Sequence, residues 1–179
     1  MKPLRRIGLF GGSFDPVHQG HMRMATLALE KCRLDTVIFI PAQQPPHKHP
    51  KKLTSACHRV AMLTLALQRH KHFQLNRYEL DRPGTTYSYQ TVRHFARTYP
   101  AARLFFIMGS DSFAELHTWH RHELLLRGCT PIIIQRTPVS SSEIRQRLER
   151  GMPITRLVPP AVEKYIKKNN LYESHCQLS

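Results

Sequence analysis

GGSFDPVHQGHM, residues 11–22, follows a short apolar run at residues 7–10, and its reading decides the fold. Gly11 and Gly12 carry no side chains, so the backbone there can turn sharply and offer its N–H groups to an anion. His18 and His21 open a helical pattern over residues 21–31, in which Met24, Leu27 and Ala28 recur at helical spacing. Residues three apart on a helix share a face, so both imidazoles can address one site, with Gly20 between them permitting close approach. A strand, a glycine turn and a helix start in that order form an anion site, because unsatisfied N–H groups and the helix dipole favour negative charge. Two histidines alone would equally fit a helix cap or a metal site. The upstream strand and the paired glycines favour phosphate, and no third Cys, His or carboxylate stands at a recognisable zinc spacing.

Outward from this stretch, short apolar runs alternate with longer helical patterns. Strands are expected at residues 7–10, 37–40, 73–80, 104–108 and 132–134. Helices are expected at 21–31, from Thr54 or Ser55 to about Arg69, at 87–99, and as short pieces over 112–127 around Trp119. The second of these would bury Val60, Ala61, Leu63 and Leu67. Ser140 followed by Glu143 fits a capping box, so a helix should run from there to Arg150 and stop at Gly151. A last helix follows Pro160 and ends near Asn170. This alternation predicts a Rossmann-like three-layer α/β sandwich, a mainly parallel sheet with helices on both faces. One domain spans residues 1–179, with a helical C-terminal part from about 140 to 179. Residues 42–53, rich in Pro, His and Lys and without periodicity, read as a loop that reaches a ligand.

Composition narrows the partner. The chain has 179 residues, 41% of them hydrophobic, and a formal charge of +15 from 27 Lys and Arg against 12 Asp and Glu. That field attracts anions without saying which. The basic residues are spread along the chain rather than clustered and match no nucleic-acid-binding motif, so nucleic acid is not the expected partner. Cys32, Cys57, Cys129 and Cys176 form no CxxC pair and read as reduced structural thiols. No apolar run reaches the ~7 residues of a signal-peptide core or the ~18 of a membrane helix. A soluble, cytoplasmic protein without a membrane partner is expected, and a homo-oligomer is compatible with the sequence.

Three further stretches fall where ligands gather, beyond the carboxyl ends of strands. Gly109-Ser110-Asp111 follows the strongest strand, where the glycine admits close backbone contact and the carboxylate can accept ribose hydroxyls, although Asp111 equally fits a helix cap. PPHK, residues 45–48, lies on the long loop, where prolines stiffen the backbone that carries His47 and Lys48. VSSSEIR, residues 139–145, puts Ser140, Ser141 and the planar cation of Arg145 at a helix start, a second phosphate-binding pattern.

GGSFDPVHQGHM resembles the HxGH signature of the nucleotidyltransferase superfamily, most closely that of bacterial nicotinate-nucleotide adenylyltransferases, and the likeness extends along the whole chain. The resemblance implies ATP and nicotinate mononucleotide as small-molecule substrates, with magnesium carried by ATP and no dedicated metal site. It implies that Gly11, Gly12, Ser13, Phe14, His18, His21, Ser140, Ser141 and Arg145 hold ATP phosphates and that Gly109 and Asp111 contact adenosine. His18, His21 and Arg145 would carry catalysis. His47 and Lys48 would meet the mononucleotide phosphate, and Ser88, Trp119 and His120 would surround the nicotinate group.

The sequence departs from the family at two points. Arg136-Thr137-Pro138 runs directly into Val139-Ser140, where the family has a connecting stretch with another strand, and returning a helix start from Ile134 to the same sheet edge is expected to need that length. Ala42 stands where relatives carry a polar residue. The phosphopantetheine adenylyltransferases are the nearest alternative, with Thr where His18 stands. A non-catalytic, basic nucleic-acid-binding protein is the alternative from another class.

Overall fold

The computed structural model describes residues 5–44, 53–135 and 137–173. Five strands, β1 (Arg5–Gly12), β2 (Thr36–Pro41), β3 (Phe73–Leu75), β4 (Ala102–Gly109) and β5 (Thr130–Ile134), form one sheet in the order β3-β2-β1-β4-β5. Every pairing is parallel. Seven helices join and cover them: α1 (Gln19–Lys31), α2 (Ala56–Leu67), α3 (Ser88–Thr98), α4 (Ser110–Ala114), α5 (His122–Gly128), α6 (Ser141–Glu149) and α7 (Pro160–Lys168), with a 3₁₀ turn at Leu116–Thr118.

The alternation of side chains along each strand sorts the core into two layers. Phe10, Val37, Phe39, Phe105 and Ile107 meet α1, α2, α6 and α7 through Met24, Met62, Ile144 and Ile166. Ile7, Leu9, Ile38, Ile40 and Phe106 meet α3 and α5 through Val92, Phe95 and Leu125. The fold is the three-layer α/β sandwich that the sequence pattern implies. Among the described residues, no helix is long and apolar enough to cross a membrane.

Three expectations change. The third strand ends at Leu75 rather than at residue 80, because the Asn76 side chain accepts the Tyr78 N–H at 2.8 Å and the Asp81 N–H returns to the Arg77 carbonyl. These local bonds replace the ladder and fold the chain back over the sheet edge. On α2 the buried stripe is Arg59, Met62, Leu63, Ala66 and Leu67, leaving Val60 and Ala61 half-buried. A buried arginine breaks the apolar pattern from which that face was read. Finally, the short connection after Ile134 suffices to start α6 at the carboxyl edge of the sheet, because β5, being parallel, already ends at that edge and the chain need not recross the sheet.

Phe39 on β2 is fully buried, and its ring centroid lies 5.3 Å from that of Phe10, 5.6 Å from Phe14 and 5.5 Å from Phe73. Phe39→Ala should lower the unfolding free energy by about 3–5 kcal/mol, read by urea denaturation.

Candidate active site

In a sheet of this order the chain leaves β1 toward one face and β4 toward the other, which opens a crevice between their carboxyl ends. A cavity of about 340 Å³ occupies it. Its walls are Gly11, Gly12 and Ser13 after β1, His18, Gly20 and His21 at the start of α1, and Met108 and Gly109 at the end of β4. Thr137, Ser140, Ser141 and Ser142 close it from the α6 side, and Glu79, Thr86, Ser88 and Trp119 from the α3 side.

His18 and His21 lie with ring centroids 3.7 Å apart. The His18 backbone N–H donates to His21 Nδ1 at 3.3 Å. With Nδ1 accepting, the neutral ring carries its proton on Nε2, which makes that nitrogen a donor. The helix-cap reading of these histidines and the ligand reading are therefore compatible, because the capping bond engages one His21 nitrogen and fixes the direction of the ring. Beneath His21 lies Phe14, fully buried, its ring 4.9 Å away in an edge arrangement. Gly20 has no room for a Cβ, which would stand 2.6 Å from Thr137 Oγ1 and 2.9 Å from the His18 ring. The Gln19 N–H of the first helical turn is taken by the Leu157 carbonyl at 2.8 Å, so the chain itself uses one of the donors that the helix start was expected to offer.

The loop is held from below by Asp15, which lies within the quoted stretch, and by Arg59 and Tyr172, which the sequence pattern did not reveal. Arg59 is 2% exposed and donates through Nε to the Thr54 carbonyl and through Nη1 to the carbonyls of Ser13 and Ala42 at 2.9 and 2.8 Å. Burial lowers its pKa, opposed by Asp15. Asp15, also 2% exposed, accepts from Tyr172 Oη at 2.6 Å and from the Thr54 N–H at 3.2 Å. Burial and then the Asp15 charge push the Tyr172 hydroxyl up, so it stays a donor. On the other side, Ser141 Oγ donates to the Pro16 carbonyl and Arg145 Nη1 to the Asp15 carbonyl at 2.6 Å.

The structure thus gathers Gly11, Gly12, Ser13, His18, His21, Gly109, Ser140, Ser141, Ser88 and Trp119 around one cavity. Phe14 underlies it rather than lining it. Arg145 stands at the same edge, its guanidinium on the Asp15 carbonyl and Ser142 Oγ. Asp111 is exposed in the first turn of α4, outside the cavity wall. His120 is exposed as well and packs against the rings of Tyr87 and Tyr89 in a neighbouring crevice. His47, Lys48 and Arg136 lie outside the described residues. Ala42 lines the cavity, where its carbonyl serves Arg59. Ser140 Oγ accepts the Glu143 N–H as a cap should, whereas the Glu143 carboxylate turns to Arg147.

A family model described as cytidylyltransferase-like matches residues 9–147, a span that includes β1 to β5 and the start of α6. This chain belongs to that family. Within it the chain is 39% identical to a nicotinate-nucleotide adenylyltransferase of Bacillus subtilis, over 96% of this chain and 100% of the relative. Its fold matches a crystal structure from Vibrio parahaemolyticus with a TM-score of 0.82 at 20% identity, over 96% of this chain and 97% of that one. A Plasmodium falciparum nicotinic acid mononucleotide adenylyltransferase complexed with NaAD matches with a TM-score of 0.75 at 21% identity, over 94% and 97%. The family match spans the strand ends and the α1 start that border this cavity.

Two substitutions test this construction. Gly20→Ala should displace the His18 ring and lower turnover by roughly 10²-fold, the loss of one aligned donor, in steady-state kinetics of a protein that still unfolds cooperatively. Arg59→Met should lower stability by roughly 3 kcal/mol in urea, by stripping three carbonyls of their shared charged donor. Arg59→Lys should not restore it, because an ammonium lacks the planar fork that spans all three.

Proposed function

We propose that the chain transfers the adenylyl group of ATP to nicotinate mononucleotide, forming nicotinate adenine dinucleotide and pyrophosphate in NAD biosynthesis. The observation that carries this reading is the convergence of two imidazoles, a diglycine turn and a serine-rich helix start on one cavity between β1 and β4. The curated relatives bearing the nicotinate-nucleotide adenylyltransferase name, 39% identical in the Bacillus subtilis case, support the choice of acceptor.

An oxygen of the acceptor's 5′-phosphate attacks the α-phosphorus of ATP. The new P–O bond forms as the bond from the α-phosphorus to the bridging oxygen breaks, and that electron pair leaves on pyrophosphate. No protein nucleophile takes part. Both reactants are anions, so catalysis consists of alignment and charge neutralisation. In this reading the backbone at Gly11, Gly12 and Ser13 and the imidazoles of His18 and His21 donate to the triphosphate, joined by Ser140 and Ser141 from α6. Arg145 keeps guanidinium donors beyond the two bonds it makes to the chain, and adds fixed positive charge at the same edge. Gly109 and Asp111 serve the adenosine. His47 and Lys48 meet the mononucleotide phosphate, and Ser88, Trp119 and His120 serve the pyridine end.

Magnesium enters as part of the ATP substrate. Among the described residues, Glu79 is the one carboxylate on the cavity wall, and no group of three His, Cys, Asp or Glu is arranged to hold a metal ion. That donor set fits an ion held by phosphate oxygens and water.

Pyrophosphate release from magnesium-ATP should require nicotinate mononucleotide and should not occur with phosphopantetheine; the opposite preference overturns the proposal. His18→Ala should lower kcat by about 10²–10³-fold while far-ultraviolet circular dichroism stays unchanged.

A further inference from the structure

Glu79 is 7% exposed, yet it lies on the cavity wall with Thr86, Ser88 and Trp119, and the mechanism above gives it nothing to do. It reaches that position because the chain folds back after Leu75 through the Asn76 turn. Its Oε1 accepts the Thr91 hydroxyl of α3 at 2.7 Å. Among the described residues it makes no salt bridge. On its own segment Arg77 pairs with Asp81 at the surface, and Arg82 lies over the Tyr78 ring. On α3, His94 stacks on Tyr78 at 3.8 Å, and Tyr87 and Tyr89 gather around His120. From β4 the cavity receives Phe106 and Met108, which carry no charge, and from α1 it receives His18 and His21.

We propose that Glu79 is a specificity-determining residue that sets the preference between a pyridine carboxylate and a pyridine carboxamide on the acceptor. The inference rests on the reading of the reaction given above, which puts the pyridine end beside Ser88 and Trp119. A protonated Glu79 carboxyl is neutral and can donate a hydrogen bond to an anionic substituent. The ionised form repels that substituent and accepts from a carboxamide NH₂ instead. Burial pushes the Glu79 carboxyl up to about 7, against the Thr91 hydrogen bond that pulls it down. The carboxylate of nicotinate mononucleotide is ionised throughout this range, and His120 lies in the neighbouring crevice against Tyr87 and Tyr89, so beside Ser88 and Trp119 on the cavity wall Glu79 is the group whose charge changes. Preference for the carboxylate is therefore present below neutrality and is lost as pH rises through it. His18 and His21 face phosphates that both acceptors share, so their contribution is common to the two specificities and cancels in the ratio.

The test measures kcat/KM of the full chain with nicotinate and with nicotinamide mononucleotide at pH 6 and pH 8. The wild-type ratio should fall by at least about tenfold, the change in protonated fraction across a group that titrates midway. In Glu79→Gln, which keeps an acceptor for Thr91 but cannot ionise, the ratio should not vary with pH. In Thr91→Val, which removes the bond that favours the charged form, the fall should move to higher pH. An equal pH dependence of the ratio in wild type and Glu79→Gln overturns the inference and leaves the reaction standing. If Glu79→Gln does not fold, an unmoved profile in Thr91→Val overturns it instead. Pyrophosphate release with neither pyridine mononucleotide overturns the reaction and the inference with it.

Discussion

Parallel strands ordered β3-β2-β1-β4-β5 impose a geometric constraint on everything else in this protein. The chain leaving β1 packs as α1 on one face, while the chain leaving β4 contributes Leu116 and Leu125 to the other. Between the two strand ends lies the cavity of about 340 Å³. A crevice bordered by a diglycine turn and a helix start attracts phosphate before any side chain is considered. The side chains refine what the topology has already placed.

Refinement depends on a few buried polar groups that hold loops to one another. Arg59 joins three backbone segments, after β1, after β2 and before α2, by donating to a carbonyl of each. Asp15 receives Tyr172 from the far end of the described chain, while Arg145 and Ser141 reach the Asp15 and Pro16 carbonyls from α6. Such a network is stable only when nearly every member is satisfied, because a buried polar group without a partner is costly. These bonds tie the loop that follows the glycine turn to α2, to α6 and to Tyr172.

The elements that repeat with a clear period were legible in the sequence. β1, β4, α1 and the capped start of α6 each show an apolar period or a terminal signal that their neighbours do not contradict. The positions of His18 and His21 followed from their spacing on α1. The sequence was silent where one polar residue sits on an apolar face or where a distant segment supplies the partner. Arg59 is buried on α2 where Val60 and Ala61 were expected, Tyr172 acts across most of the chain length, and Glu79 is carried to the cavity by the Asn76 side chain. No local pattern announces such contacts, because each depends on a tertiary neighbour. Arg59 had one signal, a lone cation between apolar helix positions, and the length of its side chain makes that signal ambiguous. Phe14, expected among the residues that hold ATP phosphates, forms the floor beneath His21, a role that its left-handed backbone angle of φ 47° helps to set.

Hydrogen-bond donation to phosphate by imidazoles held in contact is the physical core of the proposed function. Two rings at 3.7 Å, one of them fixed by a backbone N–H, form a paired donor that a single anion can bridge. The most direct measurement is the imidazole nitrogen resonances of His18 and His21, followed by NMR while magnesium-ATP is titrated into the protein. Both sets should move together along one binding curve, with the Nε2 signals perturbed most. Saturable ATP binding that shifts neither ring, or only one of them, would contradict the account.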